Sequence, residues 1–85
     1  MVHLPDGTIE VDAQLRVDEV NDHLDLNLPE GEAYETVAGL ILWYLQRVPV
    51  EGDVLRNEEM EIEVTQMKGP KIEKARIVRA DGGMP

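Results

Sequence analysis

Apolar and polar positions alternate with different periods along the chain, and the periods divide it into elements. In "TIEVD", Ile9 and Val11 alternate with polar neighbours, a period of two that predicts a short strand. "RVDEVNDHL" sets Val17, Val20 and Leu24 at i, i+3 and i+7, one face of a short helix. Asp18 and Glu19 fall in its first turn, where the helix dipole favours negative charge. "LNLPEGE" reads as a loop: Pro29 and Gly31 stop a continuous helix, and Leu26 and Leu28 anchor the loop to the core. "DVLRN" is a further short strand. "MEIEVTQ" sets Met60, Ile62 and Val64 against Glu61, Glu63 and Thr65, a half-buried strand.

"KIEKARIVR" has a broken alternation that pairing repairs. With Met67 and Ile72 flanking a four-residue loop, Lys68-Gly69-Pro70-Lys71, Val64 faces Ala75, Ile62 faces Ile77, Glu63 faces Arg76 and Thr65 faces Lys74. Val78 alone lacks an apolar partner and sits opposite Glu61. Opposite charges across strands add a few tenths of a kcal/mol each.

The stretch from Val37 to Leu45 has no charged residue. A helix is predicted here with Thr36 as N-cap. It runs to Arg47, a cation near the C-terminal end of the dipole, before Pro49 forbids much continuation. Val37, Leu40, Ile41, Tyr44, Leu45 and Val48 form the stripe expected to face the sheet. Gly39 costs about 1 kcal/mol relative to alanine inside a helix, which close approach of helix to sheet offsets. Leu42 and Trp43 fall off the stripe, so this helix has no polar face where a surface helix keeps one. Together these elements predict an α+β domain with two helices on one face of a small, mostly antiparallel sheet.

Composition narrows the chemistry. The 85 residues suffice for one small domain. Apolar residues are 42% of them with no Phe, so the core is aliphatic. No Cys is present, which removes disulfides and thiolate metal sites. No run reaches the ~18 apolar residues of a membrane span, and no secretory signal opens the chain. The net charge of −10 argues against a nucleic-acid surface. Sixteen acids and three bases occupy residues 1–67, whereas five bases and two acids occupy 68–85. The basic strand therefore neutralises an acidic one within the domain, in preference to forming a docking strip.

Catalysis needs a nucleophile, base or metal held in a pocket. The chain has no Ser and no Cys, and its two histidines, His3 and His23, lack metal or triad spacing. His23 with Asp18 or Asp22 reads better as a solvated helix face than as a ligand set. The acidic run Glu58, Glu59, Glu61 and Glu63 offers weak oxygen ligands for Mg²⁺ or Ca²⁺, but Glu61 and Glu63 belong to the paired strand. No glycine loop cradles a phosphate; "DGG" at 81–83 is a lone pair of glycines. No enzyme, cofactor or metal site is expected.

The ordered series "DGTIEVDA", "VDEVNDHLDLNLPEGEAYETVAGLIL", "RVPVEGD", "EIEV" and "KIEKARIV" resembles the CorC/HlyC transporter-associated domain over residues 6–79, leaving 1–5 and 80–85 as flexible ends. The resemblance implies an α+β fold similar to a subdomain of FAD-binding, PCMH-type proteins. It implies an accessory, regulatory module without catalytic residues. Such a module sits on the cytoplasmic side of the inner (plasma) membrane, at the C-terminal end of a larger membrane protein with a CBS pair, of the magnesium and cobalt efflux or hemolysin-like class. Three positions depart from the family pattern. Gln46 stands where a glycine is frequent before the arginine of the "R(I/V)P" turn, Glu58-Glu59 replace a glycine before the strand at 60–64, and Trp43 stands where many relatives are polar. Flavin or adenine-nucleotide binding follows from fold analogy alone, and a small-ligand module is the alternative to protein docking.

Gly39, Leu42, Trp43 and Gln46 form the expected interface. Trp43 is either covered by the loop before the helix, with Leu26 or Leu28 as lid, or by a partner: a second copy or the rest of the parent protein. The partner is favoured, because Leu42 and Trp43 widen the apolar surface beyond what one sheet needs.

Overall fold

The hairpin of Met60–Lys68 and Lys71–Arg79 stands at the centre of the sheet. The computed structural model describes residues 2–26, 28–56 and 60–79. In chain order its elements are β1 (Val2–His3), β2 (Ile9–Asp12), α1 (Val17–Leu24), α2 (Val37–Leu45), β3 (Val54–Arg56), β4 (Met60–Lys68) and β5 (Lys71–Arg79). The strands form one antiparallel sheet in the order β1-β2-β5-β4-β3. Two helices on an antiparallel sheet make the α+β class expected from the periodicities.

The central register is the one that apolar matching predicts: Val64 opposite Ala75, Ile62 opposite Ile77, Glu63 opposite Arg76 and Glu61 opposite Val78. Two details differ. Lys68 pairs with Lys71, so the connection is the two-residue turn Gly69-Pro70, not a four-residue loop. Gly69 has φ +59°, at the first central position, where a type II′ hairpin turn calls for glycine. Gln66, not Thr65, faces Lys74, because the ladder shifts between Val64 and Gln66 and shifts back before Met67. On the other side of β5 the β2 register runs on past Asp12, and the Glu73 carbonyl accepts the Ala13 N–H at 2.9 Å, which holds the chain just after β2.

Side chains of one sheet face, Ile9, Val11, Leu55, Met60, Ile62, Val64, Ile72, Ala75 and Ile77, are buried in one core with those of the helices. Val17, Val20 and Leu24 supply the buried face of α1, as their spacing requires. Leu28 is buried in the same core and Leu26 packs against it. Asn21 fixes that loop: its Oδ1 accepts the Leu28 N–H at 2.8 Å and its Nδ2 donates to the Leu28 carbonyl at 2.9 Å. The opposite sheet face carries a row of registered residues, Val2, Glu10, Arg76, Glu63 and Val54. There Arg76 pairs with Glu63 and lies 3.7 Å from Asp6. The basic strand is thus partly neutralised within the domain, as expected.

Residues 2–5 are more than an end: Val2 and His3 pair with Glu10 and Ile9 as the outermost strand. The expectations on Glu58-Glu59 and on the tail 80–85 lie outside the described residues.

Ile62 and Ile77 face each other in full burial. Ile62→Ala is expected to destabilise the domain by about 3 kcal/mol through lost burial and a residual cavity. Urea unfolding followed by circular dichroism measures it.

Candidate docking site

Helix α2 is held firmly at its start. The Thr36 hydroxyl accepts the Gly39 N–H at 3.1 Å, the N-cap expected from sequence. Val37 N–H donates to the Leu15 carbonyl at 2.9 Å and Ala38 N–H to the Ala13 carbonyl at 2.8 Å. These bonds tie the helix start to the turn that follows β2. From there α2 passes over β5 and reaches β3.

The helix ends at Leu45, two residues short of the expected Arg47. Gln46 turns left-handed, φ 59°, its N–H donates to the Leu42 carbonyl at 2.9 Å, and its side-chain amide donates to the Trp43 carbonyl. Arg47 therefore does not cap the dipole. Its Nη1 lies 2.8 Å from Asp53 Oδ2, an oxygen that also accepts the Val50 N–H at 2.8 Å. The Arg47 guanidinium first, and then the Val50 N–H, hold the Asp53 carboxyl below its ordinary value of 3.8. Pro49 is buried inside this clasp.

The early end of the helix changes the stripe. Val37, Ala38, Leu40 and Ile41 are buried, and Leu45 is half-buried. Tyr44 is 41% exposed and Val48 58%, so neither faces the sheet as expected. The chain leaves the helix axis at Gln46, which puts Val48 out of phase. Gly39 is also corrected. A Cβ there would lie 3.0 Å from Tyr34 Cβ and 3.4 Å from Thr36 Oγ1, so what approaches it closely is the preceding segment and not the sheet. The Tyr34 hydroxyl donates to the Pro29 carbonyl at 2.7 Å, and burial pushes its phenol up from the ordinary value.

Tyr34 thus lies against Gly39 in the first half of α2 and its phenol interacts with that of Tyr44, while Leu42 and Trp43 stay open. Leu42 is 39% exposed and Trp43 53%. Leu28 is in the core and Leu26 packs against it, so the loop does not act as lid over Trp43. Of the four residues singled out from sequence, Leu42, Trp43 and Gln46 share the exposed end of α2, while Gly39 lies a turn away under Tyr34. Val50 and Val54, missed in the sequence, add exposed apolar surface after the helix. The signal for Tyr34 was Gly39 itself: a mid-helix glycine marks a close approach, but the sequence does not say by what.

A polar cleft of about 210 Å³ lies at the start of α1, lined among others by Arg16, Asp18, Glu30, Glu32, Tyr34 and Glu35. Arg16 is engaged there by Asp18 at 3.2 Å and Glu35 at 3.7 Å. Among the described residues no group of three or more His, Cys, Asp or Glu is placed to hold a metal ion. Among them, too, no helix is long and apolar enough to cross a membrane.

Comparison with known proteins places these features in a family context. Residues 2–81 match the family model described as the transporter associated domain, CorC_HlyC. The UPF0053 inner membrane protein YfjD of Escherichia coli is 32% identical over 72 residues, 85% of this chain and 17% of that protein. The UPF0053 protein YegH of E. coli is 28% identical over 81 residues, 93% of this chain and 15% of that protein. The chain thus spans less than a fifth of the length of either relative. Among solved structures, a CorC_HlyC transporter associated domain from a Xylella fastidiosa hemolysin, in complex with Mg²⁺ and Mn²⁺, superposes with a TM-score of 0.80. It is 28% identical, and the match covers 93% of this chain and 95% of that one.

Two outcomes follow from the end of α2. A left-handed conformation costs a non-glycine residue roughly 1–2 kcal/mol, while an exposed side-chain hydrogen bond offsets less than about 1. Gln46→Gly is therefore expected to raise stability by about 0.5–1 kcal/mol, read as a higher urea midpoint. The Asp53 carboxyl is lowered in the folded state, so its contribution is fully present above the ordinary value of 3.8 and is lost as pH falls through the folded value. Asp53→Asn should lower the melting temperature at neutral pH and reduce the further drop on acidification below 3.8. Thermal melts of both proteins across that range test the sign.

Proposed function

The chain belongs to the CorC/HlyC transporter-associated domain family, and we propose that it is a non-catalytic, regulatory module that docks on the rest of a larger membrane protein. The observation that carries this reading is the uncovered end of α2, where Leu42, Trp43 and Tyr44 stand exposed on a helix with no polar face. Tryptophan is enriched among the residues that dominate binding energy at interfaces. The small share of each relative's length that the chain spans supports the rest of the same protein as the docking partner. The transport context is that of the magnesium and cobalt efflux or hemolysin-like class, with a CBS pair between membrane domain and module and the module on the cytoplasmic side.

One observation favours a second reading, a small-ligand module for divalent cations: the related Xylella domain was solved with Mg²⁺ and Mn²⁺. A ligand at about 100 times its dissociation constant adds ~2.7 kcal/mol to stability. A melting shift of that order with Mg²⁺, and none with FAD, would support the cation and displace docking as the primary role.

The chain has no cysteine of its own, so Trp43→Cys gives a single reporter in the domain, and any cysteine elsewhere in the full-length protein is replaced by alanine. Maleimide labelling at Trp43→Cys is expected to be slower by about tenfold in the full-length protein than in the isolated domain, as burial in an interface requires. Equal labelling rates would remove this face from any docking surface.

A further inference from the structure

Strand β3 is the outermost strand of the sheet on the side where α2 ends. Its inner edge pairs with β4, Val54 with Glu63, Leu55 with Ile62 and Arg56 with Glu61. Val64 N–H donates to the Asp53 carbonyl at 2.8 Å. In an antiparallel ladder the bonded and non-bonded positions alternate, so Asp53 and Leu55 face β4. The backbone groups of Val54 and Arg56 then point to the outer edge, where among the described residues no strand pairs with them.

Natural edges are blunted by lysines, prolines, bulges or a covering element. Here Val54 is exposed and apolar. Arg56, the one charge on the strand, is drawn to Glu61 of β4 at 2.8 Å, inward from the edge. Beside this edge stands the last turn of α2. The helix crosses from the turn after β2, over β5, to β3, and among the described residues the sheet has no strand beyond β3 for that turn to rest on. The unpaired edge and the uncovered apolar turn are therefore adjacent.

We propose that the free edge of β3 and the exposed last turn of α2 together receive an extended peptide segment, apolar on one side and basic on the other, which adds a sixth strand to the sheet. Strand addition supplies main-chain hydrogen bonds for affinity and alternate side-chain positions for specificity. Side chains on the helix-bearing side of such a strand face the end of α2, where Leu42 and Trp43 stand exposed, which selects apolar residues. The other side lies beside the open sheet face. The domain's net charge of −10 attracts a cationic segment over long range. The same charge opposes both a second copy of this chain and an anionic lipid surface. The proposal rests on the docking reading above and specifies the chemistry of the docked segment.

The test titrates the 85-residue chain with a blocked peptide alternating valine and lysine. Control peptides alternate serine with lysine and valine with glutamate. Emission of the lone Trp43, sedimentation, and amide exchange at Val54 and Arg56 are read together. The valine–lysine peptide is expected to bind about tenfold more tightly than either control, more weakly as salt is added. Trp43 emission should shift to the blue, and exchange at Val54 and Arg56 should slow by about tenfold. Binding without slowed exchange at β3 overturns strand addition and leaves docking by α2 standing. Equal binding of the serine–lysine control, or no binding by any of the three, overturns the proposal. So does a peptide-free dimer in which the β3 amides are already protected.

Discussion

Everything else in the sheet is attached to the register of β4 against β5. Strand β2 bonds to the outer side of β5 and β3 to the outer side of β4, so both inherit the phase of the central hairpin. Side chains alternate with a period of two, and a slip of one residue would turn Ile62, Val64 and Met60 to the solvent face. With no Phe in the chain, the core has no large aromatic anchor to correct such a slip. Two constraints hold the register instead. The turn admits two residues, with glycine where φ is positive. The apolar partners Ile62–Ile77 and Val64–Ala75 also match only in this phase.

That register was legible because it is written twice, once as apolar matching and once as the opposition of Glu63 and Arg76. The local irregularity was not. An alternation counted along one strand cannot show that Thr65 is passed over, because the shift belongs to the pairing of β4 with β5 and not to either strand alone. The Thr36 N-cap and the buried face of α1 were likewise open to reading, since both depend on residues within a turn or two of each other. Asn21 was not: its bonds to Leu28 span a loop whose path the sequence leaves open.

Helix α2 shows where periodicity fails. The apolar run offers no polar residue to mark a phase, and Pro49 permits a helix up to Val48. The structure ends it earlier, at Gln46, because Arg47 and the Val50 N–H converge on the Asp53 carboxylate and pull the chain off the axis. Tyr44 and Val48 then lose the sheet that the stripe had assigned to them. A φ of 59° at position 46 is one that glycine adopts without strain. Here the side-chain amide of Gln46 on the Trp43 carbonyl stands against the conformational cost.

The strained cap and the exposed tryptophan belong to one local design. A helix continuing past Leu45 would carry Arg47 on its last turn, and its charge would lie among Leu42, Trp43 and Tyr44. Ending at Gln46 removes that charge to the Asp53 clasp, where it is neutralised. Residues 37–50 hold no other ionisable group of permanent charge. The end of α2 is thus an uncharged apolar surface on a domain of net charge −10, so desolvating it on docking leaves no buried ion unpaired. The same early termination that made the helix hard to read from the sequence is what leaves its end suited to binding another chain.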